Sequence, residues 1–140
     1  MSEGVSHTTL HTVTLFGIPN CDQVKKSRAW LSEHGIVHAF HDFKKVGLSQ
    51  QLIAHWLTTC DWTTLLNRKS STWRGLPDAR RAAVTDVEQA TALMLEAPSI
   101  VKRPILQLDS HTLIGFDAAL YHNVFQSYFN LQTTKYGART

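Results

Sequence analysis

Residues 12–43 read as strand, helix, strand, and that order restricts the fold more than any other stretch of the chain. Thr12–Ile18 (TVTLFGI) is rich in β-formers and is closed by Gly17 and Pro19. Asn20 is a good N-cap, and the pattern from Cys21 to His34 is helical until Gly35 stops it. Val24 and Leu31, with Ala29 and Trp30 beside them, give that helix an apolar side. Ile36–Phe43 (IVHAFHDF) is a second β-rich run. Two strands joined by a crossover helix of this length are expected to lie parallel.

The middle of the chain reads as helical. Ser49 caps a run with Leu52, Ile53, Trp56 and Leu57 at helical spacing, and DWTTLLN (61–67) is a shorter piece. NRKSSTWRGLP (67–77) is a polar, basic loop. Thr85 and Glu88 then carry the spacing of a capping box, and the helix they open ends before Pro98. Two β-rich runs, RPILQL and HTLIGF, flank a turn at Asp109–Ser110 with hairpin spacing. Asp117 is placed to cap a last helix through Leu131.

The expected class is therefore α/β: a βαβ half and a ββα half share one mixed sheet of thioredoxin type, with a helical insertion between them. A single domain over residues 12–131 is expected, with a flexible tail at 1–11 and another at 132–140. At 140 residues, 43% of them hydrophobic, the chain suits one ordinary globular domain.

Two cysteines are too few for a disulfide-stapled secreted scaffold. The polar N-terminus has no signal-peptide core, and no apolar run is long enough to span a bilayer. The cytoplasm is the expected location, with no membrane partner. A net charge of +3 admits an anionic substrate without demanding one.

Cys21 stands where the first strand turns into the first helix. A sulfur in the first turn lies near backbone N–H groups without intrahelical partners, and these favour the thiolate. Lys25 and Lys26 add positive charge about one turn away, whereas Asp22 opposes it. The plainer alternative is a small, half-buried residue. Val24 occupies the position where a dithiol motif carries its second cysteine, so Cys21 has no local resolving thiol. Cys60, in the helical block, reads first as a buried structural thiol. The chemistry expected is monothiol.

LFGIPNCDQVKKSRAWL, LLNRKSSTWR, APSIVKRPIL and LIGFD, in this order and spacing, resemble the arsenate reductase-like family (ArsC/Spx/YffB). Within it the likeness is greatest to YffB-type proteins, described as glutathione-dependent thiol reductases. It covers the chain from about Thr12 to Phe129. The resemblance implies a thioredoxin-like fold with a helical insertion and puts the nucleophile on Cys21. Of three oxyanion-binding arginines in the glutaredoxin-dependent arsenate reductases, two match Arg68 and Arg103. The third falls near Gly115–Phe116, where this chain has none. That gap weakens an arsenate reading, because a multiply charged oxyanion is best held by several converging cations.

On residues alone, Arg68 is a loop arginine that solvent can satisfy, and Pro104 is a trans-proline opening a strand. The resemblance instead implies Arg68 and Arg103 near Cys21 and a cis-Pro104 facing the nucleophile; Asn20 and Lys25, beside Cys21 in the chain, are further candidates for binding substrate or stabilising the thiolate. The arginines would stabilise the thiolate and bind a carboxylate or other anion. No bound cofactor is expected; glutathione is the expected thiol co-substrate, and glutathione or a glutaredoxin the expected partner.

The eight histidines show no HxxxH pair or Cys/His cluster of zinc spacing, so no metal is expected. Arg68, Lys69 and Arg74 beside Trp73 form too small a cluster to mark a nucleic-acid surface. The expected function is a glutathione-dependent monothiol reductase. The alternatives are a glutaredoxin-dependent arsenate reductase and, as the resemblance to Spx-type relatives implies, a non-catalytic partner of RNA polymerase. The CxxC switch of some of those relatives is missing here.

Overall fold

The central strand, β1 (Val13–Gly17), has a partner on each side in the computed structural model, which describes residues 12–137. β2 (Ala39–Asp42) pairs parallel to it, with Thr14 opposite Ala39 and Gly17 opposite Asp42. β3 (Ile105–Leu108) pairs antiparallel on the other side, and β4 (His111–Ile114) pairs antiparallel with β3. The sheet order is β2-β1-β3-β4, the mixed sheet of a thioredoxin-like fold. The stretch expected to be an N-terminal tail, 1–11, lies outside the described residues.

Alternation along the strands divides the core in two. Val13, Leu15, Leu106 and Leu108 face α1 (Asp22–Glu33) and the last helix, where Val24, Leu31, Tyr121 and Phe125 meet them. Phe16 and Ile105 face the opposite way. They pack against the helical insertion, which comprises α2 (Phe43–Val46), α3 (Gln50–Trp56), α4 (Trp62–Leu65), α5 (Ser71–Arg74), α6 (Asp78–Ala82) and α7 (Val87–Glu96). Trp56 is fully buried there. Its ring meets Phe16 edge-on at 5.0 Å, and its Nε1–H donates to Gln107 Oε1 at 3.2 Å.

Several local readings change. Ala29 is exposed, and Ser27 is buried in its place. Ala29 lies roughly 140° around the helix from Val24, whereas Ser27 and Leu31 share Val24's face. The Ser27 hydroxyl and the Tyr121 hydroxyl are hydrogen-bonded at 2.7 Å, tying α1 to α8 (Ala118–Gly137). Burial, partly offset by Ser27, pushes the Tyr121 phenol up to about 12.

β2 begins at Ala39 rather than Ile36, since its pairing with β1 starts at Thr14 opposite Ala39; just before it, His38 Nδ1 is hydrogen-bonded to the Ile36 carbonyl at 3.0 Å. It ends at Asp42, whose carboxylate accepts from the N–H groups of Lys44 and Lys45 and so makes Phe43 the first residue of α2. α7 is capped by Asp86, not Thr85: Asp86 Oδ1 accepts the Gln89 N–H at 2.9 Å, while the Thr85 N–H donates to Gln89 Oε1. The loop read over 67–77 contains α5, capped by Ser70. A single helical turn is too short for periodicity to reveal. α8 continues past Leu131 to Gly137, into the stretch read as a C-terminal tail; residues 138–140 lie outside the described residues.

Candidate active site

β1 delivers the chain to the site, and Gly17 is why α1 can sit so close. A Cβ on Gly17 would lie 2.6 Å from Val24 Cγ2. Val24 is fully buried against this strand end, which leaves a packing role at the position where a resolving cysteine would stand. Gly17→Ala is expected to cost roughly 1–3 kcal/mol through overpacking. A urea midpoint equal to that of the unsubstituted protein would show that the contact relaxes freely.

Cys21, not Asn20, is the N-cap of α1; its backbone is extended (φ −142°, ψ 125°) and its carbonyl accepts the Lys25 N–H at 2.9 Å. Asn20 is exposed one residue outside the helix. The Cys21 sulfur makes no capping hydrogen bond of ordinary geometry. Its surroundings nonetheless set its charge. Burial raises the thiol pKa, but the Val24 amide, the Arg103 guanidinium and the Gln23 amide together outweigh burial and hold it below the usual thiol value. Lys25 is exposed and is not among the groups that produce this shift. The thiolate is therefore favoured by the helix start and by one arginine.

Arg103 is positioned from the insertion side. Its Nη1–H donates to the Ser99 carbonyl at 2.7 Å, and the Ser99 hydroxyl is hydrogen-bonded to that of Thr72 on α5 at 2.8 Å. Its buried Nε–H has no hydrogen-bond partner. The Arg103–Pro104 peptide bond is cis. The Pro104 carbonyl accepts the Gly115 N–H at 2.8 Å, so the position matched to a third arginine abuts Pro104. Gly115 takes φ +83°, and a Cβ there would meet nothing within 4 Å.

Arg68 is placed differently from Arg103. It is exposed, with its guanidinium carbon 5.7 Å from the ring centroids of both Trp62 and Trp73. It lines a cleft with Thr63, Leu66, Asn67, Lys69 and Lys102, and no described hydrogen bond or ion pair links it to Cys21. Trp73, legible in the sequence as a stacking candidate, thus stacks on an arginine of its own chain. Ser99 and Thr72, which steady Arg103, carry no motif that would mark them in advance.

Cys60 belongs to the other face of the sheet. It packs with the Phe16 core, whereas Cys21 packs with the Leu15 core, and both thiols are free. The Cys60 S–H donates to the Trp56 carbonyl at 3.3 Å; burial, and then the Asp61 charge, push its pKa up. Among the described residues, no group of three His, Cys, Asp or Glu side chains is arranged to hold a metal. No described helix is long and apolar enough to cross a membrane.

These features define a thioredoxin-like protein with a cysteine at the N-cap position of its first helix. The sequence pattern of the ArsC family matches residues 16–124, and the chain belongs to that family. The solved structure of the YFFB protein is 42% identical, covers 80% of this chain and 97% of its own, and superimposes with a TM-score of 0.77. That of an arsenate reductase (ArsC) related protein from Brucella melitensis is 43% identical, with 89% and 98% covered and a TM-score of 0.65. The global transcriptional regulator Spx of Streptococcus mutans is 29% identical over 75% of this chain and 77% of its own.

Proposed function

We propose that the protein is a glutathione-dependent monothiol reductase. The observation that carries this reading is the Cys21 thiol, whose tendency to ionise is raised by the α1 amides and Arg103 in spite of its burial. In the first step the Cys21 thiolate attacks the glutathionyl sulfur of a mixed disulfide. The substrate thiolate leaves and takes a proton from water, and Cys21 keeps the glutathionyl group. A glutathione thiolate then attacks that new disulfide, releasing glutathione disulfide and the Cys21 thiolate. Each turnover consumes one free glutathione, whose sulfur is oxidised as it joins the glutathionyl group taken from the mixed disulfide, and the substrate is left as the reduced thiol. Val24 and the distant Cys60 support the external thiol, since neither offers an internal resolving step. This chemistry suits the cytoplasm, where glutathione keeps thiols reduced.

The reading is tested by the pH dependence of alkylation in single-cysteine variants. In Cys60→Ser, the Cys21 rate is expected to reach its half-maximum below the pH of an ordinary thiol. In Cys21→Ser, the Cys60 midpoint is expected above it. Arg103→Ala is expected to move the Cys21 midpoint upward. Coincident midpoints for the two thiols would remove the electrostatic basis of the proposal.

The arsenate alternative is less well supported, since Gly115 offers no cation beside Pro104; arsenate-dependent turnover with a glutaredoxin would restore it. The likeness to Spx supports a binding role as a second alternative. Capture of RNA polymerase by the Cys21→Ser protein would favour that role over catalysis.

A further inference from the structure

The cleft beside the candidate site concentrates positive charge without an opposing carboxylate. Arg68, Lys69 and Lys102 line about 210 Å³ together with Thr63, Leu66 and Asn67. No described hydrogen bond or ion pair engages any of the three cationic side chains. Three like charges in one concavity repel each other and focus a positive potential, which an anion relieves.

The cleft is also built firmly. Leu66 and Val101 form an antiparallel bridge, with the Asn67 N–H on the Ile100 carbonyl (2.8 Å) and the Lys102 N–H on the Leu65 carbonyl (2.9 Å). Asn67 Oδ1 accepts the Lys69 N–H at 3.0 Å, which leaves the Asn67 Nδ2–H donors uncommitted. The rings of Trp62 and Trp73 hold Arg68 between them. The backbone that carries these cations, and the Arg68 side chain, are therefore set before any ligand arrives, which lowers the ordering cost of binding.

Lys102 lines the cleft, and Arg103, the next residue, acts on Cys21. Their Cα atoms are about 3.8 Å apart, and an extended tripeptide spans roughly 10 Å. The adjacency of Lys102 and Arg103 in the chain is what would let one tripeptide engage the cleft with an anionic end while its sulfur meets Cys21.

We propose that Lys69 and Lys102, beside Arg68, form a subsite for a carboxylate of the thiol co-substrate and select an anionic thiol over a neutral one. This inference rests on the reductase reading above. Arg103 serves the sulfur, and the cleft serves the distal carboxylate.

Two measurements test it. The first is binding of S-methylglutathione, which cannot exchange disulfides, and of its diethyl ester to the Cys21→Ser protein, followed by amide shifts and calorimetry. The ester is expected to bind about tenfold more weakly, as is S-methylglutathione to a protein also carrying Lys69→Gln and Lys102→Gln. Shifts are expected at Asn67, Arg68 and Lys69. Equal affinity for acid and ester, or inorganic sulfate binding as tightly as S-methylglutathione, would overturn the assignment.

The second is the rate at which glutathione and its diethyl ester release the glutathionyl group from Cys21. The ratio of these rates is expected to collapse toward one in Lys69→Gln/Lys102→Gln, with an unaltered urea midpoint showing that the fold is intact. Turnover without charge preference would defeat the subsite and leave the reductase reading standing. Selective binding without any adduct at Cys21 would defeat the reductase reading and leave an anion site.

Discussion

Cys21→Ser is expected to abolish adduct formation and to lower glutathione-dependent turnover by more than about 10³-fold. A serine hydroxyl is not ionised near neutral pH, so the Val24 and Gln23 amides and Arg103 would have no thiolate to stabilise. Folding should survive, because serine is among the preferred N-cap residues and the change lies at an extended cap position. The urea midpoint is expected to stay equal or rise at a pH below the folded Cys21 pKa, where the thiol is protonated in both states. Retained turnover with retained fold would move the chemistry to another group.

The same substitution has a pH signature. The fold holds the Cys21 pKa below that of the unfolded thiol, so the unfolded chain binds more protons between the two values. Stability from this group is fully present above the unfolded thiol pKa. It is lost as pH falls through the folded one. Cys60 has the opposite sign, since its pKa is raised by burial, and folding stability declines as pH climbs through that thiol's range. Cys21→Ser should remove the first dependence and leave the second.

Trp56→Ala is expected to destabilise the protein by roughly 3–5 kcal/mol, the range for emptying a large aromatic site in a packed core. Trp56 touches Phe16 on β1 and Phe43 on α2, so its loss opens a cavity between sheet and insertion. Gln107 Oε1 also loses the Trp56 Nε1–H donor. Trp56→Phe should cost less, because it keeps most of the volume and forfeits chiefly that hydrogen bond. Urea unfolding followed by circular dichroism measures both. Cys21 lies across the sheet, so while Trp56→Ala remains folded its alkylation midpoint should not move. A shift would mean that the two cores are coupled through β1.

Much of the architecture was legible because it is local. The β-formers of Thr12–Ile18, the helical spacing of Val24 and Leu31, and the Asp109–Ser110 turn each declare an element, and their order implies the mixed sheet. Cap and boundary residues were harder to read. Thr85 and Asp86, or Asn20 and Cys21, are adjacent polar residues, and a shift of one residue between them depends on which side chain finds a free N–H once the helix is packed. The lowered Cys21 pKa was readable in direction because helix starts favour anions wherever they occur.

The sequence by itself determined the order of the strands and longer helices, the position of the thiol at a helix start and the absence of a second cysteine three residues on. Tertiary structure decided which cations serve that thiol. Arg68 and Arg103 are both arginines outside regular strands and look equivalent along the chain. The Leu66–Val101 bridge and the Trp62 and Trp73 rings hold one in a cleft, while the Ser99 carbonyl turns the other toward Cys21. Electrostatic influence depends on distance and burial, and both are set by contacts between residues far apart in the chain.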